Sequence, residues 1–247
     1  MYSWEYPFMR TSSRLLTEVM QILRSHIQPG VTTLELDSLA EQEIRAREAV
    51  PAFKGYGSPP FPATVCASKN EAIVHGVPDE VPLVEGDLLS LDLGLVYRGY
   101  FADMAVTVFL GEPPPATKQL IDITQEALES MIEAARPGTP VGVLGGRVEA
   151  LARANGLGIA EGFYGHGIGR ALHGHPAIPN RKELGGPLLQ EGMAICIEPM
   201  LTLGTGRVQV LDDGWTAVTA DGSLAAHFEH TLLITGSRTE VLTRPAR

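Results

Sequence analysis

The chain has 247 residues, 44% of them hydrophobic and 19% charged, so it can bury a substantial core as one large domain or two small ones. A formal net charge of −10 excludes a broad nucleic-acid-binding face, although a local basic patch that meets a ribosome stays open. No stretch approaches the roughly 18 apolar residues of a membrane span, no secretory start is visible, and Cys66 and Cys196 make neither a disulfide framework nor a zinc knuckle.

These bounds predict a soluble, cytoplasmic globular protein. Leu15, Leu16, Val19, Met20 and Leu23 recur at helical spacing from near Ser12 to His26, and Pro29-Gly30 stops the run. A second helix is predicted over 33–47 on Leu34, Leu36, Leu39, Ala40 and Ile44, followed by a Pro/Gly/aromatic loop over 51–62. Strands are predicted over 63–67, 88–97 and 100–110, the last two joined by a tight Arg98-Gly99 turn. After the proline run 113–115 a second cycle begins, with helices over 117–135 and 143–155 and a Gly/His segment. Further strands are predicted over 193–200, 206–211, 215–219 and 225–234. Each cycle reads helix, Pro-Gly turn, helix, strands. The weak repeat predicts an α+β fold in one domain, 1–247. Its two related halves, about 1–115 and 116–247, would flank a central, mostly antiparallel sheet.

Four acids stand inside otherwise apolar runs: Asp92 in LLSLDLGLV, Asp103 in GYFADMAVTVF, Glu198 in MAICIEPML and Glu229 in AHFEHTLLI. A buried carboxylate is costly unless it is paired or fully hydrogen-bonded. One such residue is most often a satisfied structural acid, but four share a single explanation only if something strongly positive lies between them. The predicted hairpin brings Asp92 and Asp103 to neighbouring strands, where they would repel unless protonated or bridged by a cation. The segment AEGFYGHGIGRALHGHP crowds His166, His173 and His175 among glycines. It is either a flexible polar loop or the source of a nitrogen ligand. Oxygen donors with one imidazole suit divalent Mn, Fe, Co or Zn, and carboxylates bridging two ions about 3.5–4 Å apart form a two-metal hydrolase site.

The order D-x₁₀-D, GHGIGR, an apolar strand ending in E-P and a last strand carrying E-H-T resembles the methionine aminopeptidases of the short bacterial type I. Supporting stretches are NEAIVHGVP, EGMAICIEPM and DDGWTAVTADGSLAAHFEHT. The resemblance implies the pita-bread fold and two divalent ions held by Asp92, Asp103, His166, Glu198 and Glu229, with Asp103 and Glu229 bridging. It implies a catalytic trio of His75 near the scissile nitrogen, His173 on the scissile carbonyl, and Glu198 as the proton shuttle. An open metal position for the free α-amine would restrict the reaction to chain N-termini. Substrate-binding candidates are His75, His173, Phe53, Tyr56, Phe61, Cys66, Leu172 and Trp215, with ordinary core packing the competing reading for the aromatic ones. The implied substrates are nascent polypeptides with a small second residue, met near the ribosome by a monomeric enzyme.

Two departures stand out. The family's H-E-x-P becomes H-G-H-P, so Gly174 replaces an acid, and the aromatic loop is about two residues longer than usual. His175 receives no role. The competing functions are another pita-bread peptidase, such as a prolidase or X-Pro aminopeptidase, and a non-catalytic peptide-binding relative.

Overall fold

Apolar spacing alone starts the first helix too late. In the computed structural model, which describes residues 1–236 and 238–244, α1 spans Tyr6–His26 and follows a 3-10 turn at Ser3–Glu5. The early turns are held by a long-range contact that local pattern cannot display. The buried Glu5 carboxylate accepts from Tyr100 Oη and Arg170 Nε, both at 2.9 Å. The next helix, α2 (Thr33–Ala46), opens on a capping box: Glu35 N donates to Thr32 Oγ1 at 3.1 Å and Thr32 N to Glu35 Oε2 at 2.8 Å.

The strands of the first half are β1 (Val50–Pro51), β2 (Val65–Lys69), β3 (Ala72–Val74), β4 (Leu88–Tyr97) and β5 (Tyr100–Phe109). Helices α3 (Pro115–Ala134) and α4 (Val141–Ala154) repeat the opening pair. Then come β6 (Gly158–Ile159), β7 (Tyr164–Gly167), β8 (Gly174–Pro179), β9 (Ala194–Ile197), β10 (Met200–Thr202), β11 (Val208–Val210), β12 (Ala217–Thr219), β13 (Ala225–His227), β14 (His230–Ile234) and β15 (Thr239–Val241). All strand pairs among the described residues are antiparallel. They form four groups ordered β1-β4-β2 with β5 beside β4, β13-β10-β6, β11-β12-β3, and β15-β14-β9-β7-β8. This is the pita-bread arrangement of mixed helices and antiparallel sheet. Among the described residues no helix is long and apolar enough to cross a membrane.

Strand periodicity decides which face carries chemistry. Leu89, Leu91, Leu93 and Leu95 of β4 are fully buried in a core shared with Leu16, Leu23, Leu36 and Ile44 of α1 and α2. At about 1.5–3 kcal/mol for each fully buried side chain, that row pins the register of the strand. The alternate residues Ser90, Asp92 and Gly94 therefore face the other way. In the second half Ile195, Ile197, Leu232 and Ile234 bury against Leu128, Met131, Leu144 and Val148 of α3 and α4.

Two threonines stitch the halves together. Thr231 Oγ1 donates to the Asp103 carbonyl at 2.7 Å and accepts from the Asp103 amide at 3.1 Å. Thr107 Oγ1 does the same for His227, donating to its carbonyl at 2.7 Å and accepting from its amide at 2.9 Å. Thr231→Val preserves shape but strips Asp103 of both partners in a dry site. It should destabilise the metal-free protein by about 1–3 kcal/mol, read as a lower urea midpoint at constant m. An unchanged midpoint would show that the halves do not depend on this contact.

Candidate metal centre

The β4–β5 turn has Arg98 at φ 50° and Gly99 at φ 81°, the left-handed pair of a two-residue hairpin. Its register sets Asp92 opposite Ala105 and Gly94 opposite Asp103, so the two aspartates are diagonal neighbours on one face. The two glutamates arrive differently from expectation. Neither lies within a continuous strand. The predicted strand over 193–200 splits into β9 and β10, and that over 225–234 into β13 and β14. His230 pairs with Ile197 and Met200 with His227, so Glu198-Pro199 and Phe228-Glu229 form facing two-residue gaps. Pro199 has no N–H to give a ladder. The chain changes sheets at both gaps, and each frees one glutamate to turn toward the aspartates.

His166 sits on β7, between β8 and β9. The glycines beside it serve close approach, not the sharp turn that their number suggests. A Cβ on Gly165 would fall on the Cys196 carbonyl, and one on Gly167 on the His175 carbonyl. His166 Nδ1 is 3.1 Å from the Gly167 carbonyl, to which it donates, leaving Nε2 as a lone pair. That Nε2 lies 3.6 Å from Glu198 Oε1, 3.9 Å from Asp103 Oδ2 and 4.0 Å from Glu229 Oε1. Burial depresses His166 to about 4, so the ring is neutral, as a ligand must be.

All four carboxylates are buried, between 2% and 9% exposed. Burial pushes Asp92 up to about 7. Burial first, then neighbouring carboxylates, push Asp103, Glu198 and Glu229 well above the carboxylate range. Asp92 Oδ1, Asp103 Oδ1 and Glu229 Oε1 have no hydrogen-bond partner among the described residues. Orphaned acid oxygens around a neutral imidazole are a donor set that fits divalent cations. Asp103, His166, Glu229 and Cys196 offer donor atoms all within 4.8 Å of one another. The thiol of Cys196 is raised by burial and stays protonated, and its Sγ lies 3.5 Å from Thr231 Oγ1.

The eight sequence-predicted substrate residues and the five predicted ligands line a single cavity of about 150 Å³. Phe61 meets Trp215 edge-on at 5.2 Å, and Trp215 meets His75 at 5.9 Å. Cys66 belongs to the apolar wall, with Phe53 and Leu172; its thiol is pushed well up by burial and then by the nearby Asp92. His75 has φ 59°, a strained conformation for a non-glycine residue, held by Gly76 against β2. Burial, then His173, lowers it to about 4. His175 is exposed. A Cβ on Gly174 would stand 3.4 Å from the Gly167 carbonyl, so the backbone there has room for the missing acid.

Sequence reasoning missed His227. It is 1% exposed, both ring nitrogens lack partners among the described residues, and Nε2 lies 3.7 Å from Glu198 Oε2. The alternation in AHFEH, which sets His227 two residues before Glu229, was the available signal.

Comparisons with known proteins agree with this geometry. The sequence model of metallopeptidase family M24 matches residues 7–236. The chain is 42% identical over 243 residues to the methionine aminopeptidase of Aquifex aeolicus, covering 95% of this chain and 94% of that one. The crystal structure of methionine aminopeptidase from Thermotoga maritima superimposes with a TM-score of 0.95 at 38% identity, covering 99% and 98% of the two chains. The prolidase of Pyrococcus furiosus, at 24% identity and a TM-score of 0.82, shares the fold, and the chain covers 65% of it.

Proposed function

The chain belongs to metallopeptidase family M24, among the methionine aminopeptidases, and on that premise we propose how its residues remove the initiator methionine from protein N-termini. The observation that carries the reading is one cavity in which buried, orphaned carboxylates and a neutral imidazole face an apolar wall. Asp92, Asp103, His166, Glu198 and Glu229 would hold two divalent ions, Co, Mn, Fe or Zn, with Asp103 and Glu229 shared. Bound there, such ions acidify water and polarise an amide carbonyl.

The protein's own groups do the rest. Glu198 takes a proton from the attacking water on a carboxylate oxygen and passes it toward the departing nitrogen. His173 Nε2 donates to the scissile carbonyl as negative charge grows there. His75, neutral and fixed by its strained backbone, stands by the leaving nitrogen. Phe53, Phe61, Cys66, Leu172 and Trp215 exclude water and take the methionine side chain, and a small second residue is preferred. The whole chain acts as one catalytic unit, a monomer meeting nascent chains near the ribosome in the cytoplasm.

The test is an assay on metal-stripped protein resupplied separately with Co, Mn, Fe or Zn. Met-Ala-Ser and Met-Gly-Ser should be cleaved well and Met-Lys-Ser poorly. Fast release of alanine from Ala-Pro peptides would instead mark an X-Pro enzyme, and fast cleavage of Met-Lys-Ser would remove the small-residue rule.

A further inference from the structure

We propose that Tyr56 is a positioning residue: its phenolic O–H donates to His173 Nδ1, fixing the Nε2–H tautomer and aiming that N–H at the scissile carbonyl. The inference rests on the reading of His173 as the carbonyl donor and adds what makes it one. Tyr56 Oη lies 2.7 Å from His173 Nδ1, and the rings meet edge-on with centroids 5.1 Å apart. A neutral imidazole carries a single N–H, so whichever nitrogen accepts a hydrogen bond decides which one donates. A phenol donates more readily than it accepts. In a neutral ring the choice of tautomer is therefore decisive. Among the described residues Nε2 of His173 has no hydrogen-bond partner, so the tautomer is set at Nδ1 or not at all.

The backbone around Tyr56 is held by a closed set of hydrogen bonds, while the side chain is partly exposed. Tyr56 N donates to the Phe53 carbonyl, Phe61 N to the Tyr56 carbonyl and Gly55 N to the Phe61 carbonyl, each at 2.8 Å. Residues 57–60 therefore leave and return at Tyr56 itself, as a short excursion closed at its base. Gly57, at φ 79°, lies flat on the Trp215 ring, where an added Cβ would come within 2.6 Å of Cη2. His173 needs such a strut from outside, because it lies 117 residues away and is followed by Gly174, which has no side chain to steer its neighbour. Among the described residues Tyr56 is the side chain that hydrogen-bonds the His173 ring.

The experiment compares full-length wild type, Tyr56→Phe, Tyr56→Leu and His173→Ala, each loaded with zinc. Long-range ¹H–¹⁵N NMR reads the tautomer, and the signal lost in His173→Ala identifies His173. Wild type should show Nδ1 unprotonated and Nε2 protonated, and Tyr56→Phe should populate the other tautomer. On Met-Ala-Ser, Tyr56→Phe should lose roughly 2- to 10-fold in kcat at unchanged KM and metal content, the scale of one neutral hydrogen bond. Tyr56→Leu should lose no more kcat than Tyr56→Phe, since the hydroxyl and not the ring sets the tautomer. An Nδ1–H tautomer in wild type, or a Tyr56→Phe protein with unchanged tautomer and kcat, overturns the proposal. A His173→Ala enzyme as fast as wild type overturns the reading of His173 on which it rests. The two failures are distinct, because the first is seen in the spectrum before any substrate is added.

Discussion

Asp103→Asn is expected to abolish hydrolysis and metal uptake together. Asp103 is 3% exposed, its Oδ1 has no partner among the described residues, and its main chain is clamped on both sides by Thr231. The side chain therefore cannot swing away to let another group substitute. An amide of the same shape supplies one neutral oxygen where the proposed centre needs a shared anion. The same substitution should stabilise the metal-free protein. With nothing between them, the four acids are driven up by burial and by one another, Asp92 to about 7. A carboxyl whose folded pKa is raised contributes stability that is complete below its unfolded pKa. That contribution is lost as pH rises through the folded value. At neutral pH the metal-free protein is thus strained by its own buried acids, and removing one charge relieves part of that strain. Thermal unfolding with and without added metal separates the effects. Wild type should gain about 2.7 kcal/mol at a hundredfold excess of metal over Kd, whereas the mutant should start higher and gain almost nothing. Near-normal turnover of a stripped and resupplied Asp103→Asn protein would end the metal reading altogether.

The hairpin that carries Asp103 was the most legible part of the chain. Its first strand covers 88–97 as predicted, and its second ends at Phe109 against a predicted 110. Both strands are long and apolar, and the Arg98-Gly99 turn between them is a local signal. Legibility failed where backbone pairing is non-local. Residues of β7 and β8 read as loop because glycine, histidine and proline have low strand propensity, yet β9 supplies β7 with a ladder from elsewhere. The converse error occurred at Glu198 and Glu229, where apolar neighbours hid the two facing gaps. Burial says that a residue is inside. It does not say that its N–H and C=O stay in one sheet. The four buried acids were readable because a buried acid is costly wherever it occurs. The link from Tyr56 to His173 was not, since no local rule joins side chains so far apart in sequence.

Glu198→Gln asks whether one carboxylate holds metal, moves a proton, or both. Its Oε1 lies 3.6 Å from His166 Nε2 and its Oε2 3.7 Å from His227 Nε2, while its carbonyl accepts from Asn180 Nδ2 at 3.0 Å. Glutamine keeps the volume, the main-chain anchor and one oxygen, and loses the charge and the basicity. Its new N–H₂ can donate to His227, which burial, then the nearby His75, holds neutral, at about 3, and which has no other partner among the described residues. Folding should therefore be unharmed, and an unchanged or higher melting temperature is expected. Asp92, Asp103 and Glu229 remain, so the mutant should keep at least one ion and bind methionine product with modestly weakened affinity. Turnover should nevertheless fall at least ~10²-fold, the low end of a general-base contribution. A base works only when deprotonated, so wild-type kcat falls as pH drops through its pKa, and the mutant should lose or shift that acidic limb. Metal stoichiometry and kcat against pH, measured on one preparation, decide between the roles. A mutant that loses both ions makes Glu198 a ligand on which the whole centre depends. A mutant that keeps its metal and stays fast, with the acidic limb in place, makes it a ligand alone, and the proton must then travel through another group.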